Sequence, residues 1–388
     1  MASTALNARQ ADRRTANSIG GPVVTSSTAA RDPSSGDPAS ASKKPSNAGG
    51  TGPADKPQTR NQRPRRKDNF RPMNLLPILF VGLAYFVLKA FGNGNNTRPK
   101  FNWKETQYVY AFGDSYTFVQ GTAGLANFSF IGDAFNLSFT PEDLLSNEIV
   151  PNKTSSDGSN WIEFLTGCLE GRPSDCSPHQ LWDFAFAGAD IDPTILPLHH
   201  NFSVDLVDQV NQWATYAAKV VPHPADKTLT AWWIGINDTG DSFSNSSITD
   251  WTLFWHSEMR SYFNAVETAY KNGLRGTYLF INVPPGQHEP ARNGDPAAQA
   301  LLQKRVTEFN HILSGYVQGF ARRFRSVNVL SFDAYAWFED VLANAAQYGF
   351  TNTTGDPSYF WYDDGHITQR VHKLLADAIE ARLLAASS

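Results

Sequence analysis

Five separate apolar runs constrain the fold of this chain more than any other feature. Each run is short and continuous, and longer amphipathic stretches separate the runs from one another. Continuous apolar strands connected through helices are typical of a parallel sheet that is buried on both faces. We therefore predict an α/β fold. The predicted strands are residues 108–112, 181–186, 229–234, 277–282 and 327–332.

The amphipathic stretches between these runs predict the helices. Their apolar residues recur at the spacing that places them on one face of a helix. No linker rich in Pro, Gly or Ser and no internal repeat divides this region, so we predict that residues 107–388 form one domain. The predicted helices are residues 159–166, 203–219, 251–272, 296–324 and 366–386.

The start of the chain differs from this region in composition and charge. Residues 1–72 hold 13 Lys+Arg and five Asp, whereas the remainder holds 20 basic and 32 acidic residues. The segment is rich in Ser, Thr, Ala, Pro and Gly and cannot bury enough apolar surface to fold, so we predict a disordered basic tail. The net charge of −4 for the whole chain argues against a dedicated nucleic-acid partner.

An apolar segment, residues 73–91, follows the basic tail. As a helix it would extend about 28 Å, close to the roughly 30 Å of a bilayer core. We interpret the upstream basic residues as a topology signal and predict a signal anchor in a single-pass type II membrane protein, with the folded domain in the secretory lumen or outside the cell. A linker over residues 92–106 would follow. Two alternatives are a start at Met73 with a cleaved signal peptide and secretion, and a core helix.

The folded region also has features of an exported protein. Cys168 and Cys176 enclose a short loop, and we expect them to form a disulfide outside the cytosol, with two buried thiols as the alternative. Asn237 also stands in an acceptor sequence for N-glycosylation, but it belongs to a motif described below and is left out. The predicted glycosylation sites are Asn95, Asn127, Asn136, Asn152, Asn201, Asn245 and Asn352.

Short polar blocks follow the first three predicted strands, and a fourth stands near the C-terminus. In an open parallel sheet, the residues beyond the carboxyl ends of the strands converge on one crevice. Blocks that are far apart in the chain can therefore meet there. The blocks are Gly113-Asp114-Ser115-Tyr116, Ala187-Gly188-Ala189-Asp190, Gly235-Ile236-Asn237-Asp238 and Asp363-Asp364-Gly365-His366.

The residue types in these blocks suit acyl transfer. A serine hydroxyl such as that of Ser115 needs a base, and His366 is that type of residue. The base needs a carboxylate that fixes its tautomer, and Asp363 stands three residues before it, which favours Asp363 over its neighbour Asp364. The amides of Ser115 and Gly188 and the side chain of Asn237 could stabilise an oxyanion.

These four blocks, in this order, resemble those of the GDSL (SGNH) hydrolase family. The resemblance implies a flavodoxin-like, three-layer α/β/α fold with a parallel five-stranded sheet, and the activity of a carboxylic ester hydrolase. It implies that Ser115 is the nucleophile of a triad with Asp363 and His366. By the same motif, Gly188 and Asn237 complete the oxyanion hole.

A narrower resemblance, to the fungal acetylesterases of carbohydrate esterase family 16, is carried by residues 158–161, 233–238 and 282–285. It implies that a small ester or an acetylated oligosaccharide is the substrate. The chain departs from that pattern at Asp183, where Asn is usual, and in its basic tail and apolar segment. Two alternatives remain open: a lipid or acylglycerol esterase of the same fold, and a non-catalytic carbohydrate-binding module.

Aromatic and histidine side chains near the blocks give further candidates. Tyr116 could line the acyl pocket, and Trp361 and Tyr362 could bind a saccharide, with core packing as the alternative for Trp361 and Tyr362. The adjacent His199 and His200 are expected to point in different directions and to make a poor ligand pair. We predict no metal site and no cofactor, and the sequence does not indicate an oligomeric state.

Overall fold

The computed structural model describes residues 98–351 and 359–388. The predicted basic tail, the apolar segment over residues 73–91, Asn95 and Asn352 lie outside the described residues. Within the described ranges, no helix combines the length and the apolar character needed to cross a membrane.

A parallel five-stranded sheet forms the centre of the domain. Its order is β2-β1-β3-β4-β5, and neighbouring strands all run parallel. This is the flavodoxin-like order of a doubly wound sheet, so the predicted fold class is confirmed. The strands are β1 Tyr108–Gly113, β2 Gln180–Asp183, β3 Thr228–Trp233, β4 Thr277–Ile281 and β5 Asn328–Phe332.

Helices surround the sheet in two packed groups. One group pairs α2 with α8, and the other runs from α3 through α5 to α6. The helices of the described ranges are α1 Pro141–Ser146, α2 Trp161–Thr166, α3 Leu206–Gln212, α4 Ile236–Ser242, α5 Trp251–Lys271, α6 Pro296–Arg323, α7 Ala334–Ala343 and α8 Gln369–Ala386.

Three predicted elements differ from the structure by three or more residues at an end. The strand predicted over residues 181–186 ends at Asp183 because the Asp183 carboxylate accepts the backbone N–H groups of Val119 and Ala185, both at 2.8 Å. The helix predicted over residues 203–219 changes after α3 into a π-helical turn. The last helix begins at Gln369, which leaves His366 in the preceding loop. Three short helices, α1, α4 and α7, were not predicted, since α1 and α4 are only two turns long and carry little periodic signal.

The predicted linker over residues 92–106 extends too far into the domain. Phe101 and Trp103 are buried, and the Trp103 ring stacks on His179 with 3.9 Å between the ring centroids. The backbone N–H of Ser388 donates to the Phe101 carbonyl at 2.9 Å. Residues 101–106 therefore belong to the packed domain, because their aromatic side chains lie in its core.

Candidate active site

A tight turn at the carboxyl end of β1 presents Ser115. A Cβ on Gly113 would lie 2.2 Å from the carbonyl oxygen of Trp233, so only glycine fits where β1 and β3 come together. The Gln209 side chain accepts from the Gly113 N–H at 3.0 Å and donates to its carbonyl at 2.8 Å. Asp114 is buried and its Oδ1 accepts the Tyr116 N–H at 3.0 Å. These contacts fix the backbone on both sides of the serine.

The loop before α8 brings a histidine and a carboxylate to this serine. The Asp363 carboxylate accepts the backbone N–H groups of Gly365 and His366, which closes a tight turn. The same carboxylate lies 2.9 Å from Nδ1 of His366, whose Nε2 lies 2.9 Å from the Ser115 Oγ. The Tyr116 hydroxyl donates to the Gly365 carbonyl at 2.7 Å and ties the two loops together.

Burial and the His366 ring together set the charge of Asp363. Burial raises the pKa of Asp363, but the hydrogen bond from His366 and the nearby ring charge bring that pKa below its ordinary value. Asp363 is therefore ionised at neutral pH and orients the Nδ1–H of the ring toward itself. The Nε2 lone pair is then directed at the Ser115 hydroxyl, which is the arrangement that activates a serine nucleophile.

Hydrogen-bond donors from two other blocks lie in the same region. Asn237 and Ser115 both line a crevice of about 380 Å³, and the Asn237 side chain donates to the Ala189 carbonyl at 2.8 Å. Gly188 is buried and has a φ of +81°, a conformation that favours glycine. Within the described ranges, the backbone amides of Ser115 and Gly188 donate to no protein acceptor.

Buried carboxyls support the loops behind these donors. Asp238 accepts the Ile191 N–H at 2.9 Å and so joins α4 to the loop that follows β2. Burial, followed by the charge of neighbouring carboxylates, raises the pKa of both Asp190 and Glu258 to about 10. Burial also raises the pKa of Asp205 to about 7. The Asp190 and Glu258 carboxyls are therefore protonated at neutral pH.

No group of His, Cys, Asp and Glu side chains in the described part of the chain is arranged to hold a metal ion. The buried carboxyls around Asp238 form no such group either.

The three predicted substrate-binding aromatics lie in different places. Tyr116 lines the crevice, but its ring is buried and its hydroxyl is bound to Gly365. Trp361 is only 3% exposed and lines a separate hollow together with His288 and Glu339. Tyr362 is 42% exposed and is not among the crevice residues. Trp361 and Tyr362 therefore lie outside the crevice, because residues adjacent in sequence to a motif can face away from it, and their role in saccharide binding stays a prediction.

The crevice contains residues that the sequence analysis did not select. Glu289 and Arg292 line it next to His366, and burial raises the pKa of Glu289 to about 7. The expected divergence of His199 and His200 is wrong, since their ring centroids lie 4.6 Å apart and both rings pack over Gly188. These residues lie in turns and loops, where the sequence has no periodic signal. Only their residue type, a carboxylate or a histidine, could have marked them as candidates.

The structure also describes most of the features predicted for an exported protein. Cys168 and Cys176 are joined by a disulfide. Five asparagines of the predicted glycosylation sites are exposed to solvent. These are Asn127, Asn136, Asn152, Asn201 and Asn245.

Comparison with known proteins identifies relatives of the whole domain. The family model described as GDSL-like lipase/acylhydrolase matches residues 109–379. An acetylesterase from Thermothelomyces thermophilus is 27% identical over 310 residues, which cover 77% of this chain and 96% of that protein.

Solved structures give more distant similarities. A protein from Parabacteroides merdae, assigned as a GDSL-like lipase, is 12% identical with a TM-score of 0.42 and covers 74% of this chain and 100% of its own. A mutant of an acetyl-xylooligosaccharide esterase from Geobacillus is 15% identical with a TM-score of 0.39, and covers 72% of this chain and 96% of its own.

Proposed function

This chain belongs to the GDSL-like lipase/acylhydrolase family and is a carboxylic ester hydrolase, and we propose that it is a serine esterase that removes short acyl groups, above all acetyl, from saccharides. The observation that carries the proposal is the continuous row formed by Ser115, His366 and Asp363. Its two hydrogen bonds, Oγ to Nε2 and Nδ1 to the carboxylate, are both 2.9 Å long. This is the relation of nucleophile, base and orienting acid that acyl transfer requires.

The proposed reaction has two acyl-transfer steps. The Ser115 Oγ attacks the ester carbonyl while its proton passes to Nε2 of His366. Nε2 then returns the proton to the departing alcohol, which leaves an acyl group on the serine. Water attacks this acyl-enzyme while His366 takes a proton from the water. Nε2 then gives that proton to the departing Ser115 Oγ, and the carboxylic acid and the free serine are released.

The negative charge on the carbonyl oxygen needs donors that are already in place. The amides of Ser115 and Gly188 and the Asn237 side chain are proposed to supply them. Both backbone amides lack a protein acceptor within the described ranges, and Asn237 keeps a second N–H beyond the one bound to Ala189. Each such donor contributes a factor of roughly 10²–10³ to turnover in well-studied acyl transferases.

The preference for acetyl esters rests on the crevice and on the curated relative. The crevice volume of about 380 Å³ is small for a ligand site, where about 300–1,000 Å³ is usual. Polar side chains such as Glu289 and Arg292 occupy part of its wall, which suits hydroxyl groups better than an acyl chain. The relative from Thermothelomyces thermophilus is an acetylesterase.

The proposed location is the secretory lumen or the cell exterior. The disulfide between Cys168 and Cys176 and the five exposed asparagine acceptors support this placement. Attachment to a membrane through residues 73–91 is part of the same proposal and depends on the sequence alone.

The test is a series of 4-nitrophenyl esters from acetate to palmitate, followed by acetylated xylo-oligosaccharides, on wild type and Ser115→Ala. We expect Ser115→Ala to lose acetate hydrolysis while it keeps the melting temperature of wild type. Ser244→Ala, at an exposed serine outside the crevice, is the matched control. Wild-type rates in Ser115→Ala would refute the proposed nucleophile. Activity that rises with acyl length would favour the lipid esterase, and glycan binding without turnover would favour the binding module.

A further inference from the structure

A second histidine–carboxylate pair lies in the crevice, outside the row that contains Ser115. Nδ1 of His199 lies 2.6 Å from a carboxylate oxygen of Asp241. Both residues line the crevice together with Ser115 and Asn237. About a third of each side chain is exposed, 34% for the histidine and 39% for the aspartate. The ester mechanism described above gives this pair no task.

The fold places this pair next to the donors of the proposed oxyanion hole. Asp241 follows Asn237 by four residues in α4, so the two side chains share a face of that helix. His199 comes from the loop that follows β2. A Cβ on Gly188 would lie 3.1 Å from Cδ2 of His199, so the ring lies against the Gly188 backbone, and Nε2 is bonded to that Cδ2.

The surroundings of the two rings favour a proton on His199 over one on His200. The hydrogen bond to Asp241 raises the pKa of His199 above its ordinary value, against the opposing effect of burial. Burial and the charge of His199 lower the pKa of the neighbouring His200. The groups that act on the His199 charge are Asp241 from α4 and His200 from its own loop. Within the described ranges, Nε2 of His199 has no hydrogen-bond partner in the protein.

We propose that His199, held by Asp241, is a further catalytic residue, whose Nε2–H stabilises the negative charge on the carbonyl oxygen during acyl transfer. The inference rests on the proposed esterase function. The His199 ring lies against the Gly188 backbone, and Asp241 fixes the orientation of that ring and favours its protonated form. The alternative is that the pair only holds the loop after β2 against α4.

The experiment compares His199→Gln and Asp241→Asn with wild type on 4-nitrophenyl acetate over about pH 5–10, in the full chain. His288→Gln is the matched control, because His288 also pairs with a carboxylate, Glu339, at 3.1 Å and is similarly exposed, but lies outside the crevice. We expect kcat to fall about 10- to 100-fold in both crevice variants, with KM nearly unchanged.

The pH profile separates the proposed role from a structural one. Wild-type kcat should fall at alkaline pH as His199 loses its proton, and Asp241→Asn should move that fall to lower pH because the pKa of His199 drops. An unchanged profile, or a change in KM alone, would overturn the inference. If His199→Gln folds poorly, Asp241→Asn decides the matter, since its amide still holds the ring.

Failure of the inference and failure of the proposed function give different results. Wild-type kcat in both crevice variants, with Ser115→Ala inactive, would reject only the role of His199. Wild-type activity in Ser115→Ala would reject the esterase mechanism itself.

Discussion

The two histidine–aspartate pairs of the crevice are similar in chemistry and differ in position. Asp363 and His366 belong to one tight turn, and the ring reaches Ser115 at 2.9 Å. His199 and Asp241 are 42 residues apart, come from a loop and a helix, and lie beside Gly188. His366 is hydrogen-bonded to Ser115 and is the proposed base, whereas His199 is hydrogen-bonded to Asp241 and is proposed to keep its proton.

The regions behind the two pairs differ as well. The loop of Asp363 and His366 is held by backbone hydrogen bonds, by the Tyr116 hydroxyl and by the Ala291 N–H, which donates to the Asp364 carbonyl at 3.0 Å. Asp241 instead lies near buried, protonated carboxyls, and its charge contributes to the raised pKa of Asp190. A hydrogen-bonded turn thus supports the pair of Asp363 and His366. Buried carboxyls, whose charge depends on pH, lie behind the pair of His199 and Asp241.

The largest expected effect separates the two aspartates. Asp363→Asn should reduce kcat about 10⁴-fold, because an amide at this position no longer fixes the ring tautomer that acts as base. Asp241→Asn should cost about tenfold, since it affects only the charge beside the oxyanion. Steady-state kinetics on 4-nitrophenyl acetate measures both values, and Asp364→Asn is the control for the turn. Equal losses in the two aspartate variants would remove the distinction between the pairs.

A substitution at Gly188 should disturb the second pair and leave the first intact. Gly188→Ala places a methyl group 2.9 Å from the His200 ring, at a φ of +81°, so we expect a loss of about 1–2 kcal/mol in unfolding free energy together with a fall in kcat. Gly171→Ala is the matched control, because its φ is +77° but no atom lies within 4 Å of the new methyl group. Urea unfolding should show a similar loss of stability in both variants. Steady-state kinetics should show a lower kcat only in Gly188→Ala.

The smallest expected effect is on how the stability of the domain depends on pH, and it arises from the buried carboxyls behind the second pair. Burial raises the pKa of Glu258 to about 10, above its ordinary value of 4.5, so the folded state favours the protonated form. The stability of the domain should therefore fall as pH rises from about 4.5 toward 10.

Glu258→Gln tests this directly, because glutamine keeps the shape and cannot ionise. Its melting temperature should depend less on pH than that of wild type, whereas the exposed Glu142→Gln should follow wild type. If the melting temperatures of wild type and Glu258→Gln depend on pH in the same way, the pKa of Glu258 is not raised.

The fold and the central row of the site could be predicted because both depend on local patterns. The strands are buried on both faces, which gives the continuous apolar runs, and Ser115 and His366 stand in short blocks at strand and loop ends. Trp361 shows the limit of such patterns, since it is next to a motif but is buried against the core. His199 is the opposite case, since it lines the crevice although the sequence around it predicts only a loop.

The sequence by itself determined the five strands of the sheet, the blocks that carry Ser115 and Asp363, and the chemistry that these side chains can perform. Only the tertiary structure decided which residues face the crevice: it turned Trp361 away, brought His199 over Gly188 and joined it to Asp241. The physical reason is that apolar periodicity records burial along one element. The direction of a side chain in a loop is set by contacts with distant elements, which no local pattern contains.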